Sequence, residues 1–209
     1  MKLCVKYFKR TAVFPLDDPV SVRVRDLIKK INKGSVILQN FDGARILAVM
    51  SAYAQKIPGD IAEVGCYRGG SARIICEFKG EKTLHLFDTF EGLPVSGQSH
   101  SKGEFIASLE WAKEYLSDCS KVYFYKGVFP DQTSCYVKDK TFSLVHLDSD
   151  LPERIPASLD FFYTRMNKGG IILIHDYPVY LGEVVDSFFF DKPESIIPIT
   201  SRHAMVIKL

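Results

Sequence analysis

The chain has 209 residues, 46% apolar and 12% aromatic, with 27 Lys+Arg against 25 Asp+Glu for a net charge of +2. That is enough chain for one domain with a substantial core, and too apolar a composition for intrinsic disorder. The near-balance of charge argues against a nucleic-acid partner, and no apolar run approaches the ~20 residues needed to cross a bilayer. Cys4, Cys66, Cys76, Cys119 and Cys135 are scattered without a Cys-x-x-Cys pair, the usage of reduced thiols in a cytoplasmic protein. The basic Lys2, Lys6, Lys9 and Arg10 are not followed by an apolar stretch, so no secretory signal is expected.

Residues 1–40 read as an irregular and helical N-terminal segment, with Pro15 and Pro19 preventing a long helix. Helical spacing covers about 20–33 and 41–56, and the second stretch is apolar nearly all round, as in a buried helix. From residue 60 onward, strand and helix patterns alternate, which sets a domain at 41–209. Strands are predicted at Ile61–Gly65, Thr83–Asp88, Val122–Lys126, Phe142–Asp148 and Ile171–His175. Helices are expected at about 71–78, 104–117, 152–166 and 180–188, and two closing strands near 195–199 and 203–208. Phe105, Trp111 and Tyr115 fall at the spacing of a helix's core face. Ile155, Leu159, Phe162 and Met166 do the same in the next helix. Such alternation predicts a doubly wound, Rossmann-like α/β sheet with helices on both faces and an antiparallel hairpin at one edge. Its ligand crevice belongs at the carboxyl ends of the strands.

Chemistry concentrates at those ends. In Asp60-Ile61-Ala62-Glu63-Val64-Gly65-Cys66-Tyr67-Arg68-Gly69-Gly70-Ser71, an apolar strand runs into a glycine turn that opens a helix. Glycines there bring main-chain N–H groups and a helix N-terminus close to a ligand. The acid at Glu63 would repel a phosphate, and the spacing Gly65-x-x-x-Gly69-Gly70 is not a nicotinamide fingerprint. A cationic ligand such as S-adenosylmethionine suits it better. Asp88 closes the second strand, where an acid can accept both ribose hydroxyls of an adenosine or cap the following turn. Asp148-Ser149-Asp150 and His175-Asp176 close the fourth and fifth strands, so their acids could share one hard cation such as Mg²⁺. Asp150, followed by Leu151-Pro152, reads equally well as a proton acceptor or as a helix N-cap. His175 reads as a ligand, a base or a satisfied strand-end histidine. His146 and His85 read as structural, and the polar loop at about 89–105 as a lid over the crevice.

Four ordered segments resemble the macrocin O-methyltransferase family. They are Ile57 to Ser71, Leu86-Phe87-Asp88-Thr89-Phe90-Glu91-Gly92-Leu93-Pro94, Val145-His146-Leu147-Asp148-Ser149-Asp150-Leu151, and Gly169 to Tyr177. The resemblance implies a class I, S-adenosylmethionine-dependent enzyme with a seven-stranded, mostly parallel sheet. Its substrate would be a hydroxyl of a small molecule, such as an antibiotic sugar or another natural-product intermediate. It further implies that Glu63 and Gly65 contact the amino-acid end of the cofactor and Asp88 its ribose; Tyr67, Gly69, Ser71, Thr89, Phe90 and Asp148 around them are the other candidates for cofactor contact. Asp148 and Asp176 would bind a divalent ion, usually Mg²⁺, Asp150 would take the proton, and the assembly would be a homo-oligomer; His175, beside them, is a further candidate as metal ligand or catalytic base. Two positions depart from the family pattern, both beside the metal site. His175 stands where an acid is usual, and Pro152 replaces the tyrosine of Asp-Leu-Tyr-Glu.

Overall fold

In a computed structural model the described residues are 17–32, 40–96, 100–177 and 179–209. The expected irregular start at 1–16 and the middle of the polar loop lie outside them. Helix α1 spans Pro19–Asn32 and α2 Phe41–Ala54. Asp18 starts α1 by accepting from the Val20 and Ser21 N–H groups at 3.0 and 3.1 Å, and Asn40 caps α2 through the Gly43 N–H at 2.9 Å. Ser51 sits inside the apolar α2 with its hydroxyl satisfied, donating to the Leu47 carbonyl at 2.7 Å.

Strands β1 (Asp60–Val64), β2 (Leu84–Asp88), β3 (Val122–Lys126), β4 (Phe142–Leu147), β5 (Met166–His175), β6 (Ile196–Pro198) and β7 (His203–Ile207) form one sheet in the order β3-β2-β1-β4-β5-β7-β6. The first five are parallel, and β7 runs antiparallel to both β5 and β6. Helices α3 (Gly70–Phe78), α4 (Leu109–Tyr115), α5 (Ile155–Tyr163) and α6 (Gly182–Phe189) make the crossovers. This is the expected α/β architecture, with the order reversing between β1 and β4. That reversal opens a crevice at the carboxyl edge.

Because side chains alternate along a strand, each central strand supplies both layers of the core. Ile61, Leu84, Leu86, Leu144 and Leu173 pack under α1, α2 and α3. Ala62, Phe87, Val145, Leu147 and Ile172 pack under α5 and α6. Val24 and Ile31 of α1 are buried in the first layer, so this helix is part of the domain's core.

Two helix expectations need correction. The 104–117 helix is only Leu109–Tyr115, because Phe105 takes a left-handed φ of 62° and Ser108 caps the chain at the Trp111 N–H. Trp111 is therefore exposed rather than a core residue, and its ring stacks on Tyr115 at 4.9 Å. The 152–166 helix begins as a 3₁₀ turn at Pro152–Arg154 and stops at Tyr163, and Met166 is the first residue of β5.

Candidate active site at the carboxyl edge of the sheet

The loop after β1 must pass directly over the end of β4. Gly65 has φ 89°, and a Cβ there would overlap the main-chain carbonyl of Asp148, so glycine is the one residue the approach admits. Its N–H donates to the Phe87 carbonyl at 2.9 Å, while the Asp148 N–H donates to Val64 at 2.9 Å. Three strand ends are thereby stitched together. Asp88 completes the join: one oxygen accepts from the Tyr67 N–H at 2.7 Å and the other from the Phe90 N–H at 2.8 Å. Burial pushes the Asp88 carboxyl above the usual range, against the pull of those N–H groups. The capping reading of Asp88 is thus realised, and the same carboxylate still faces the cleft.

That cleft is lined by Gly65, Tyr67, Asp88, Thr89, Asp148 and Asp150 among the sequence candidates. Val64, Phe87, Phe129 and Leu151 give it an apolar wall. Phe105 lines it as well, packing edge-on against Tyr67 at 5.9 Å. Sequence reasoning placed Phe105 in a helix and so missed it; only its backbone turn brings it here. Glu63, Gly69, Ser71, Phe90, His175 and Asp176 are not among the lining residues. Gly69 and Ser71 build the turn into α3, and Phe90 is buried behind Asp88.

Glu63 lies beneath the floor, fully buried, with Oε1 2.8 Å from His146 Nδ1 on the neighbouring strand. The two residues are register partners of β1 and β4. Glu63 Oε2 is buried with no hydrogen-bond partner among the described residues, and burial raises its carboxyl above the ordinary range. His146 is structural, as its position predicted. So is His85, which lies 3.0 Å from both Asp60 and Tyr125.

At the other end of the cleft stand Asp148 and Asp150, with His175 and Asp176 beside them but outside the lining. Asp150 does not cap the following turn: Leu151 holds the N-cap position, with no side-chain cap. Asp150 itself has a left-handed φ of 57°. Burial, then the charges of Asp148 and Asp176, push its carboxyl up to about 7. His175 Nδ1 lies 2.6 Å from Asp148 Oδ1. Burial opposes the charged imidazole, but Asp148, Asp176 and Asp150 together outweigh it and push His175 up to about 9. Asp176, only 5% exposed, is paired with the Arg202 guanidinium. His203 packs on His175 with ring centres 4.6 Å apart, and burial beside two other histidines pushes it down to about 3.

The expected metal ligands Asp148, His175 and Asp176 are therefore committed to one another and to Arg202. Among the described residues no group of three His, Cys, Asp or Glu side chains is disposed to hold an ion. As arranged, these residues do not fit a divalent cation: an imidazole nitrogen and a guanidinium take the places that its charge would occupy.

The sheet order, the antiparallel β7 and the crevice over β1 and β4 define the class I methyltransferase fold. The solved structure of the O-methyltransferase NovP superposes with a TM-score of 0.76 at 17% identity, covering 90% of this chain and 99% of that one. A methyltransferase from Podospora anserina, PaMTH1, solved with S-adenosylhomocysteine bound, gives 0.60 at 14% identity, covering 94% of this chain and 89% of that one. The chain belongs to the macrocin-O-methyltransferase (TylF) family, whose match runs over residues 34–192. A relative in Streptomyces olivaceus, 8-demethyl-8-(2,3-dimethoxy-alpha-L-rhamnosyl)-tetracenomycin-C 4'-O-methyltransferase, is 28% identical over 151 residues, which are 63% of this chain and 58% of the relative. The chain thus spans little more than half that relative's length.

Proposed function

We propose that the chain transfers the methyl group of S-adenosylmethionine to a hydroxyl of a small molecule. The observation that carries this reading is one cleft bearing Asp88 at one end and Asp148 and Asp150 at the other, over an apolar wall. Asp88 suits the ribose hydroxyls and the apolar wall at Val128 and Phe129 a flat base. The acids suit the sulfonium and ammonium charges, while a phosphate-bearing nucleotide would be repelled. The orphaned Oε2 of Glu63 is a further acceptor beneath the turn that would hold the amino-acid end. As acceptor we favour a sugar or other natural-product hydroxyl, the chemistry named for the Streptomyces olivaceus relative.

The transfer is an in-line displacement. The acceptor oxygen bonds to the methyl carbon as the carbon–sulfur bond breaks, and the electron pair returns to sulfur, leaving neutral S-adenosylhomocysteine. The protein's part is alignment in a dry cleft and removal of the hydroxyl proton. Asp150 is the base in this reading, because it faces the cleft without a hydrogen-bond partner among the described residues. A carboxyl near pH 7 can also both take and release a proton at working pH. His175 is a poorer base, since its Nδ1 is held by Asp148 and it keeps its proton to about 9. His146 is buried against Glu63 and cannot reach the cleft.

Activity should therefore rise with pH through about 7 as Asp150 loses its proton. Asp150→Asn should lower turnover by about 10²–10⁴-fold while cofactor affinity, read by calorimetry, stays within a few-fold. Unchanged turnover in that variant would remove Asp150 from the base role. Cofactor binding without methylated product across a broad set of hydroxyl compounds would favour a non-catalytic binder.

A further inference from the structure

The turn joining β6 to β7 brings a cation to the site from outside every motif. Thr200 organises this turn: its hydroxyl oxygen accepts from the Arg202 and His203 N–H groups at 3.2 and 3.1 Å and lies 3.0 Å from His203 Nδ1. Because β7 is antiparallel to β5, His203 is the register partner of His175. Arg202 is consequently delivered to the end of β5, where its Nη1 meets Asp176 Oδ1. Asp176 is nearly buried and held at a left-handed φ of 56°, with its carbonyl accepting from the Tyr180 N–H at 3.0 Å. Its main chain is thus anchored while Arg202 holds its carboxylate. Asp176 Oδ1 lies 3.9 Å from His175 Nδ1, and that same nitrogen is 2.6 Å from Asp148 Oδ1. The result is a continuous chain of alternating charge groups, Arg202–Asp176–His175–Asp148, ending at the cleft beside Asp150.

A guanidinium stays protonated at any working pH and binds a carboxylate through directed N–H groups. Mg²⁺ instead demands octahedral oxygen ligation at about 2.0–2.1 Å and keeps several waters. A divalent ion drawn to Asp176 and Asp148 would meet the Arg202 guanidinium on the one and the His175 imidazole on the other, and both would have to turn aside for it to gather its oxygens. We propose that Arg202 is the fixed cation of this site, holding Asp176 and through it the His175–Asp148 pair, and that this chain carries out its transfer without a bound divalent ion. Arg202 does not touch the reacting atoms. It is a positioning residue, keeping the acidic end ordered and partly neutralised so that an acceptor losing its proton is not met by uncompensated carboxylates. The inference rests on the methyltransferase reading for its kinetic consequence, but its metal consequence is independent of that reading.

The test titrates the full chain, with S-adenosylhomocysteine present, with Mn²⁺ and reads free ion by electron paramagnetic resonance. The expected result is no saturable binding up to about 1 mM, where a working divalent site would be filled. One Mn²⁺ per chain, lost in Asp148→Asn and Asp176→Asn, would overturn the proposal whether or not an acceptor is known. With a methyl acceptor in hand, chelator should leave turnover unchanged. Arg202→Ala should lower kcat at least about tenfold with little change in cofactor KM, and Arg202→Lys should recover part of the loss. Chelator-sensitive turnover restored by Mg²⁺, or full kcat in Arg202→Ala, would each overturn it. Failure to bind cofactor at all, with Mn²⁺ also unbound, would instead reject the methyltransferase reading and leave the absence of a metal site standing.

Discussion

Asp150 holds its raised pKa at a cost in stability. Its carboxyl titrates near 7 in the fold against 3.8 for the unperturbed group. Between those values the folded chain binds the proton more tightly than the unfolded one, so the residue's contribution to stability declines as pH rises through this window. Above pH 7 it is a net cost. Asparagine tolerates the left-handed backbone at φ 57° and carries no charge. Asp150→Asn should therefore be more stable than the parent by on the order of 2–4 kcal/mol at pH 8 and by little at pH 4. Urea unfolding at the two pH values checks this; an equal difference at both would mean that Asp150 is not strained by its neighbours. Its place beside the acids was legible from Asp148-Ser149-Asp150 closing an apolar strand. That it does not cap the next turn was not, because Leu151-Pro152 is as common a helix start as any.

At the scale of elements, the central strands β1, β2 and β4 were legible because they are buried on both faces and so written as largely apolar runs. Glu63 and His146 interrupt two of those runs. Each interruption is explained by the other, since the register of β1 and β4 sets them side by side, fully buried and 2.8 Å apart. Breaking such a pair by removing one member strands a buried polar group. His146→Leu should cost about 3 kcal/mol in denaturant unfolding, and Glu63→Leu combined with His146→Leu clearly less than the sum of the two single changes. Additive losses would mean that the pair is not coupled. The helix boundaries were less legible. Phe105, Trp111 and Tyr115 have helical spacing, but spacing carries no sign of the left-handed turn at Phe105 that sends its ring to the cleft.

For the whole molecule, topology does what local sequence cannot. Arg202 is 26 positions from Asp176, with a helix and a strand between them, and only the antiparallel return of β7 makes them neighbours. The motifs located the crevice and most of its wall, because each loop carries its own signature at a strand end. They were silent about the cation that crosses from the hairpin to Asp176. No helix among the described residues is long and apolar enough to cross a membrane. The central claim is that this crevice holds a sulfonium nucleoside, with Asp88 as its ribose acceptor. Isothermal titration calorimetry of the full chain with S-adenosylmethionine, set beside NAD⁺ and the Asp88→Ala variant, tests it most directly. The expected result is one S-adenosylmethionine per chain, at least about tenfold weaker in Asp88→Ala, and no NAD⁺ binding. Saturable NAD⁺ binding, or S-adenosylmethionine binding that is absent or indifferent to Asp88, would contradict it.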